Sequence, residues 1–213
     1  MQRRRSALPL TAAAALLAGV PLLTGCGSDA HPGAAAVVDG ERITVSQVQA
    51  RAEAVREAQR ADPDSARLIS STGPLPRYTL NAMLLEEVVE EAAREQGVEV
   101  TRRDVQEWRA EQETRMGGRE GLEAAMLREQ AVPPQEVDTA LRTDLLVRRV
   151  AEALGVQNDP GAGQVLNRAF TEAAKRLGID VSPRFGTWND EQLSLVGQTP
   201  PWLKQAETPQ EPA

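Results

Sequence analysis

The stretch "AAAVVDGERITVSQVQARAEAVREAQRA", Ala34 to Ala61, changes its structural period once, and that change decides the fold. Val37-Val38 is followed by Asp39-Gly40, a pair suited to a tight turn, and then by Arg42-Ile43. Two short extended runs around such a pair predict a β-hairpin. Thr44 then stands three residues before Gln47, the spacing of a capping box, in which the hydroxyl accepts from a first-turn amide. Beyond it Val45, Val48, Ala52 and Val55 recur at helical spacing, which predicts a helix over 45–60. The chain therefore opens on a minimal sheet and leaves it along a helix.

Outward from there the pattern is helical. "ADPDSARLISSTGPLPR" reads as an interruption, with Pro63, Gly73, Pro74 and Pro76 as breakers. In "YTLNAMLLEEVVEEAAREQG", Leu80, Met83, Leu84, Val88 and Ala92 form an apolar stripe and Gly97 a C-terminal cap. Thr101 and Asp104 restart a helix that carries Val105, Trp108 and Gln112 on one side and stops at Gly117-Gly118. A short helix follows around Leu122, Met126 and Leu127. Pro133-Pro134 then begins another, with Val137, Leu141, Leu145 and Val150 as its stripe and Gly155 as its end. After the linker "VQNDPGAG", one more amphipathic helix leads into "IDVSPRFGTWN", read as an edge strand through Ile179, Val181 and Phe185.

The order of strand, helices and strand implies a mostly α domain. A two- or three-strand sheet would form from an N-terminal and a C-terminal strand, the late strand pairing with Val37-Val38. Aromatic residues make up only 3% of the chain, so the core must come from Leu, Val, Ala and Met.

"VVDGERIT" with its following helix, "EEAAREQGVEVTRRDVQEW", and "GGREGLEAAMLREQAVPPQEVDTALRTDLLVRRV" stand in one order. Together they resemble the N-terminal chaperone region of the SurA and PrsA foldases over residues 35–154. "AAKRLGIDVSPRFGTW" is similar to the helix and strand by which those proteins return to that region. The resemblance implies a SurA N-terminal-like domain over 35–190, with core helices at 35–154 and the return at 164–190. In such foldases a parvulin-type isomerase domain often fills the gap before the return. Here the gap is residues 155–163, too short for one, so chaperone-type binding is the implied role.

The leader is read from its own residues. Arg3, Arg4 and Arg5 precede the apolar run "ALPLTAAAALLAGV", which is shorter than the roughly 20 residues a bilayer span needs. A basic start and a short apolar middle are the parts of a secretory signal. Leu23-Thr24-Gly25-Cys26 resembles the bacterial lipobox, which implies a signal peptide over 1–25 and lipid attachment at Cys26. Residues 26–34 read as a flexible tether and 191–213 as a proline-rich tail. Cys26 is the single cysteine, so an internal disulfide is impossible. The expected location is the outer face of the cell membrane.

The chain carries 24 basic and 31 acidic residues. Without Arg3, Arg4 and Arg5 that is 21 against 31, a net charge of −10. The balance argues against nucleic acid, whose binding rests on phosphate neutralisation.

No spacing around His31 suits a metal, Ser70-Ser71 has no identifiable base, and no cofactor is expected. The run Glu86-Glu87 and Glu90-Glu91 reads as a solvated helix face. Trp108, Met116, Leu122 and Met126, on two short helices joined by a diglycine, are the candidate polypeptide-binding residues, since methionine suits adaptable apolar surfaces. The expected protein is a membrane-anchored, ATP-independent chaperone for apolar segments of unfolded or nascent exported polypeptides. Two alternatives remain open at this point: a peptidyl-prolyl isomerase with an unrecognised site, and an assembly subunit with one fixed envelope partner.

Overall fold

The computed structural model describes residues 33–197, Asn158 excepted. The leader at 1–25, Cys26, His31 and the tail from 198 lie outside the described residues.

Strand β1, Ala34–Val38, and β2, Glu41–Thr44, form the expected hairpin, pairing Val38 with Glu41 and Val37 with Arg42. Asp39 (φ 49°) and Gly40 (φ 79°) are both left-handed, the geometry that matches the twist of a two-residue hairpin. β3, Asp180–Val181, pairs antiparallel with the other edge of β1, giving the order β2-β1-β3. With neighbours on both sides, β1 is the central strand. Its Ala35, Ala36 and Val38 are buried. The first strand begins at Ala34, one residue before the boundary expected from sequence.

Helix α1, Val45–Ala61, starts on the Thr44/Gln47 capping box and buries Val48, Ala52, Val55 and Gln59. A second helix, α2 at Ser65–Ser71, lies in the stretch read as an interruption. Its apolar anchor, Leu68, is one buried residue in a polar heptad, too little to register as a period. α3, Leu75–Glu95, begins before the expected tyrosine because Pro76 occupies its first turn, where the missing N–H has no helical partner. Leu80, Leu84 and Val88 of α3 are fully buried beneath the sheet.

Helices α4, Arg102–Met116, α5, Arg119–Gln130, and α6, Val137–Ala153, follow, and α7, Ala162–Leu177, returns across α3. α6 buries Leu146 rather than Leu145, one position round from the expected stripe. The α4–α5 corner rests on glycine. Gly118 sits at φ 109°, and a Cβ on Gly121 would stand 1.9 Å from the Met116 carbonyl oxygen.

The segment after β3 is not one continuous strand. Phe185 lies in a 3-10 turn, Pro183–Phe185, and β4, Thr187–Asn189, pairs with β5, Ser194–Val196. β5 falls in the stretch read as tail, so the fold runs to Val196. Two α3 side chains hold this hairpin: the Leu195 amide donates to Asn81 Oδ1 at 2.8 Å, and the Arg77 guanidinium donates to the Leu195 carbonyl.

Two main apolar cores result among the described residues, beside a small cluster of Ala52, Val55 and Leu75 between α1 and the start of α3. One joins β1, β2, α1, α3, α7 and the β4–β5 hairpin. The other gathers Val105, Leu122, Met126, Val137 and Leu141 between α4, α5 and α6. Val89 and Ala93 of α3 meet Leu146 and Val150 of α6 between them. The described residues of these cores all lie between Ala35 and Leu195.

Candidate functional site

The α4–α5–α6 unit is held by charge as well as by packing. Asp104 completes the α4 capping box, accepting from the Thr101 hydroxyl at 2.6 Å and amide at 2.7 Å, and from Arg149 of α6 at 2.8 Å. The Thr101 hydroxyl and then the Arg149 guanidinium hold its carboxyl well below the usual carboxylate range. Arg109 of α4 reaches Glu113 at 2.8 Å, Glu123 of α5 at 3.0 Å and Asp138 of α6 at 2.6 Å. Hydrogen bonds to Glu113 and Asp138 raise its already high pKa, so it is a permanent cation tying three helices together.

Between these helices opens a cleft of about 250 Å³. Met116, Leu122, Ala125, Met126, Ala140 and Leu141 give it an apolar lining. Leu122 is 2% exposed and Met126 9%, so each serves the core and offers only an edge to the cleft. Met116 is 46% exposed and forms its lip. Ligand pockets for whole small molecules span about 300–1,000 Å³. A cleft of this size suits one large side chain.

The polar lining falls into two kinds. Asp144 and Arg148, one turn apart on α6, are bonded at 3.1 Å, and Asp144 also accepts from the Trp108 indole at 3.1 Å. Arg148 and Arg115 stack on the Trp108 ring at 4.6 and 5.1 Å from its centroid. These groups are satisfied. Gln112 has a buried atom, its amide nitrogen, without a hydrogen-bond partner among the described residues. Glu129, at the end of α5, is an exposed carboxylate that takes part in no ion pair or side-chain hydrogen bond there.

Three of the four expected binding residues, Met116, Leu122 and Met126, therefore line one cleft. Trp108 stands behind it and orients Asp144 and Arg148. Sequence reasoning placed Gln112 on the same face of α4 without assigning it a role, and passed over Glu129, Asp144 and Arg148. The i, i+4 spacing of Asp144 and Arg148 was a legible signal. The unpaired state of Glu129 was not.

A wider hollow of about 400 Å³ lies at the α3–α4 connection, but Glu90 and Arg142 on its rim already pair at 2.5 Å. The acidic run on α3 departs from the solvated face expected of it. Glu86 pairs with Arg51 of α1 at 2.5 Å, Glu90 with Arg142 of α6, and Glu91 with Arg94. Three of its four carboxylates are thus engaged, two of them between helices. Among the described residues no group of His, Cys, Asp or Glu is placed to hold a metal ion. Ser70 and Ser71 donate to carbonyls of their own helix, Arg67 and Leu68.

The described residues thus form a helical domain whose first strand is clasped between its hairpin mate and a returning C-terminal strand, with an apolar cleft in its central helices. The chain belongs to the SurA-like N-terminal domain family: the family's sequence profile matches residues 1–151. That is a chaperone-like family. No curated protein and no solved structure matches the chain. The matched region ends inside α6, so α7 and β3, which close the larger core, lie beyond it. Among the described residues no helix is long and apolar enough to cross a membrane.

Proposed function

We propose that this protein is a lipid-anchored, extracytoplasmic and ATP-independent chaperone that shields apolar segments of exported polypeptides in the α4–α5–α6 cleft. The observation that carries this reading is the pairing of an apolar floor with the unsatisfied Gln112 amide. A client side chain would leave water for the floor, and a client peptide carbonyl would accept from Gln112 once that side chain turns outward from its buried position. Family membership supports polypeptide clients. The Leu23-Thr24-Gly25-Cys26 sequence supports the anchor.

Magnitudes make the binding weak and exchangeable. Burying one large apolar side chain contributes about 1.5–3 kcal/mol. Association costs at least about 4 kcal/mol of lost freedom. A single cleft therefore releases its client readily unless further contacts add to it, as transient shielding requires.

The chain from Gly27 onward should suppress aggregation of an unfolded test protein at a few-fold molar excess. An unchanged aggregation rate at that excess would remove the chaperone reading. The resemblance to the SurA and PrsA foldases puts residues 155–163 where such foldases often carry an isomerase domain, and a proline-peptide assay should return the uncatalysed rate.

A further inference from the structure

We propose that the cleft is selective: it takes an apolar side chain that has a lysine or arginine within one or two residues of it. This rests on the polypeptide-client reading above and names the client chemistry for that same site.

The argument begins with Glu129. Among the described residues it is the one ionised side chain lining the cleft that takes part in no ion pair, because Asp144 and Arg148 neutralise each other. Its position works against it. A carboxylate in the last turn of a helix faces the negative end of the helix dipole, where cations are favoured. Glu129 lies in the last turn of α5, Arg119–Gln130, beside carbonyls that carry the same sign. Neighbouring Arg128 does not compensate, since it donates to Asp62 at 3.0 Å on the far side.

An incoming cation would meet the Glu129 carboxylate first, since the Met126, Leu127 and Gln130 carbonyls of that helix end already accept from Val132, Ala131 and Tyr78. The whole chain is acidic, with a formal net charge of −7, so long-range attraction has the same sign.

The three cleft groups together describe a short extended segment. One apolar side chain fills the 250 Å³ between Met116, Leu122 and Met126. A backbone carbonyl beside it accepts from Gln112 after that side chain turns outward from its buried position. A basic side chain, one or two residues along, extends over Glu129. An acidic residue at that position would be repelled by Glu129.

Three fluorescently labelled peptides test this. They share a central Leu-Phe-Leu run and differ only in its flanking residues: Lys, Gln or Glu. Anisotropy titration of the chain from Gly27 onward should give an affinity about two- to fivefold higher for the Lys-flanked peptide than for the Gln-flanked one, as expected for a partly exposed ion pair. The Glu-flanked peptide should bind more weakly than either.

Glu129→Gln should abolish the preference while leaving the Gln-flanked peptide unaffected. Glu57→Gln, on an exposed position of α1 away from the cleft, should leave the preference intact. If all three peptides bind equally, the selectivity is wrong and the apolar cleft survives. If none binds, the client reading fails with it. A Lys preference that persists in Glu129→Gln arises from overall charge and overturns the proposal. So does a peptide-blocking self-association that grows with protein concentration, which would make a second copy the occupant.

Discussion

The indole N–H of Trp108 on α4 donates to the carboxylate of Asp144 on α6 at 3.1 Å, and the same carboxylate receives Arg148. This contact fixes the back wall of the cleft. Removing the acceptor leaves a half-buried indole N–H unsatisfied and frees Arg148 from its partner. Asp144→Ala should cost about 1 kcal/mol, below the roughly 1.5–3 kcal/mol of a buried hydrogen bond to a charged group, because Asp144 is itself half exposed. Urea unfolding should show a lower midpoint at unchanged slope. An unchanged midpoint would mean that the two helices do not depend on this bond.

Gln112 should show the opposite balance between stability and binding. Its buried amide nitrogen lacks a partner, and an unsatisfied buried donor costs about 1–3 kcal/mol. Gln112→Leu removes that donor at similar volume. The variant should melt at a higher temperature and bind an apolar peptide less tightly. A variant that gains stability without losing affinity would show that Gln112 plays no part in holding a client.

The Asp104 cap sets a pH dependence with a definite sign. Its folded-state carboxyl is held below its unfolded-state value by Thr101 and Arg149. Its contribution is therefore complete above an unfolded-state pKa of about 3.9 and is lost as pH falls toward the folded-state value. Asp104→Asn should be less stable than wild type at neutral pH. The gap in denaturation midpoint should close progressively below about pH 4. A gap that stays constant down to the acid transition would show that the cap does not depend on the ionised form of Asp104.

Cys26→Ser tests the anchor independently of the cleft. The variant should lose membrane association and metabolic fatty-acid labelling, while its circular dichroism and unfolding midpoint match those of the soluble chain. Retained labelling in the serine variant would end the lipobox reading. Two acyl chains hold a protein stably on a bilayer where one does so only marginally, so the loss should be nearly complete.

Local sequence determined the N-terminal hairpin and the starts of α1 and α4. Asp39-Gly40 allows both left-handed turn residues, and the Thr44/Gln47 and Thr101/Asp104 spacings set two helix starts that the structure reproduces. Such signals act over three or four residues and need no tertiary partner. The pairing of the late strand with β1 was also legible, because Val37-Val38 had no other extended segment to complete its sheet.

Tertiary structure decided what short-range pattern cannot carry. α2 forms on one buried leucine, supported by Gln59 of α1, whose amide donates to Thr72 at 2.8 Å just past the end of α2. β5 exists because Asn81 and Arg77, more than a hundred residues earlier, bond to Leu195. The cleft divides in the same way. The apolar character of Met116, Leu122 and Met126 belongs to the sequence. Which charges around them are cancelled, and that Gln112 and Glu129 are left over, depends on how three helices meet, since pairing is a property of distance in space.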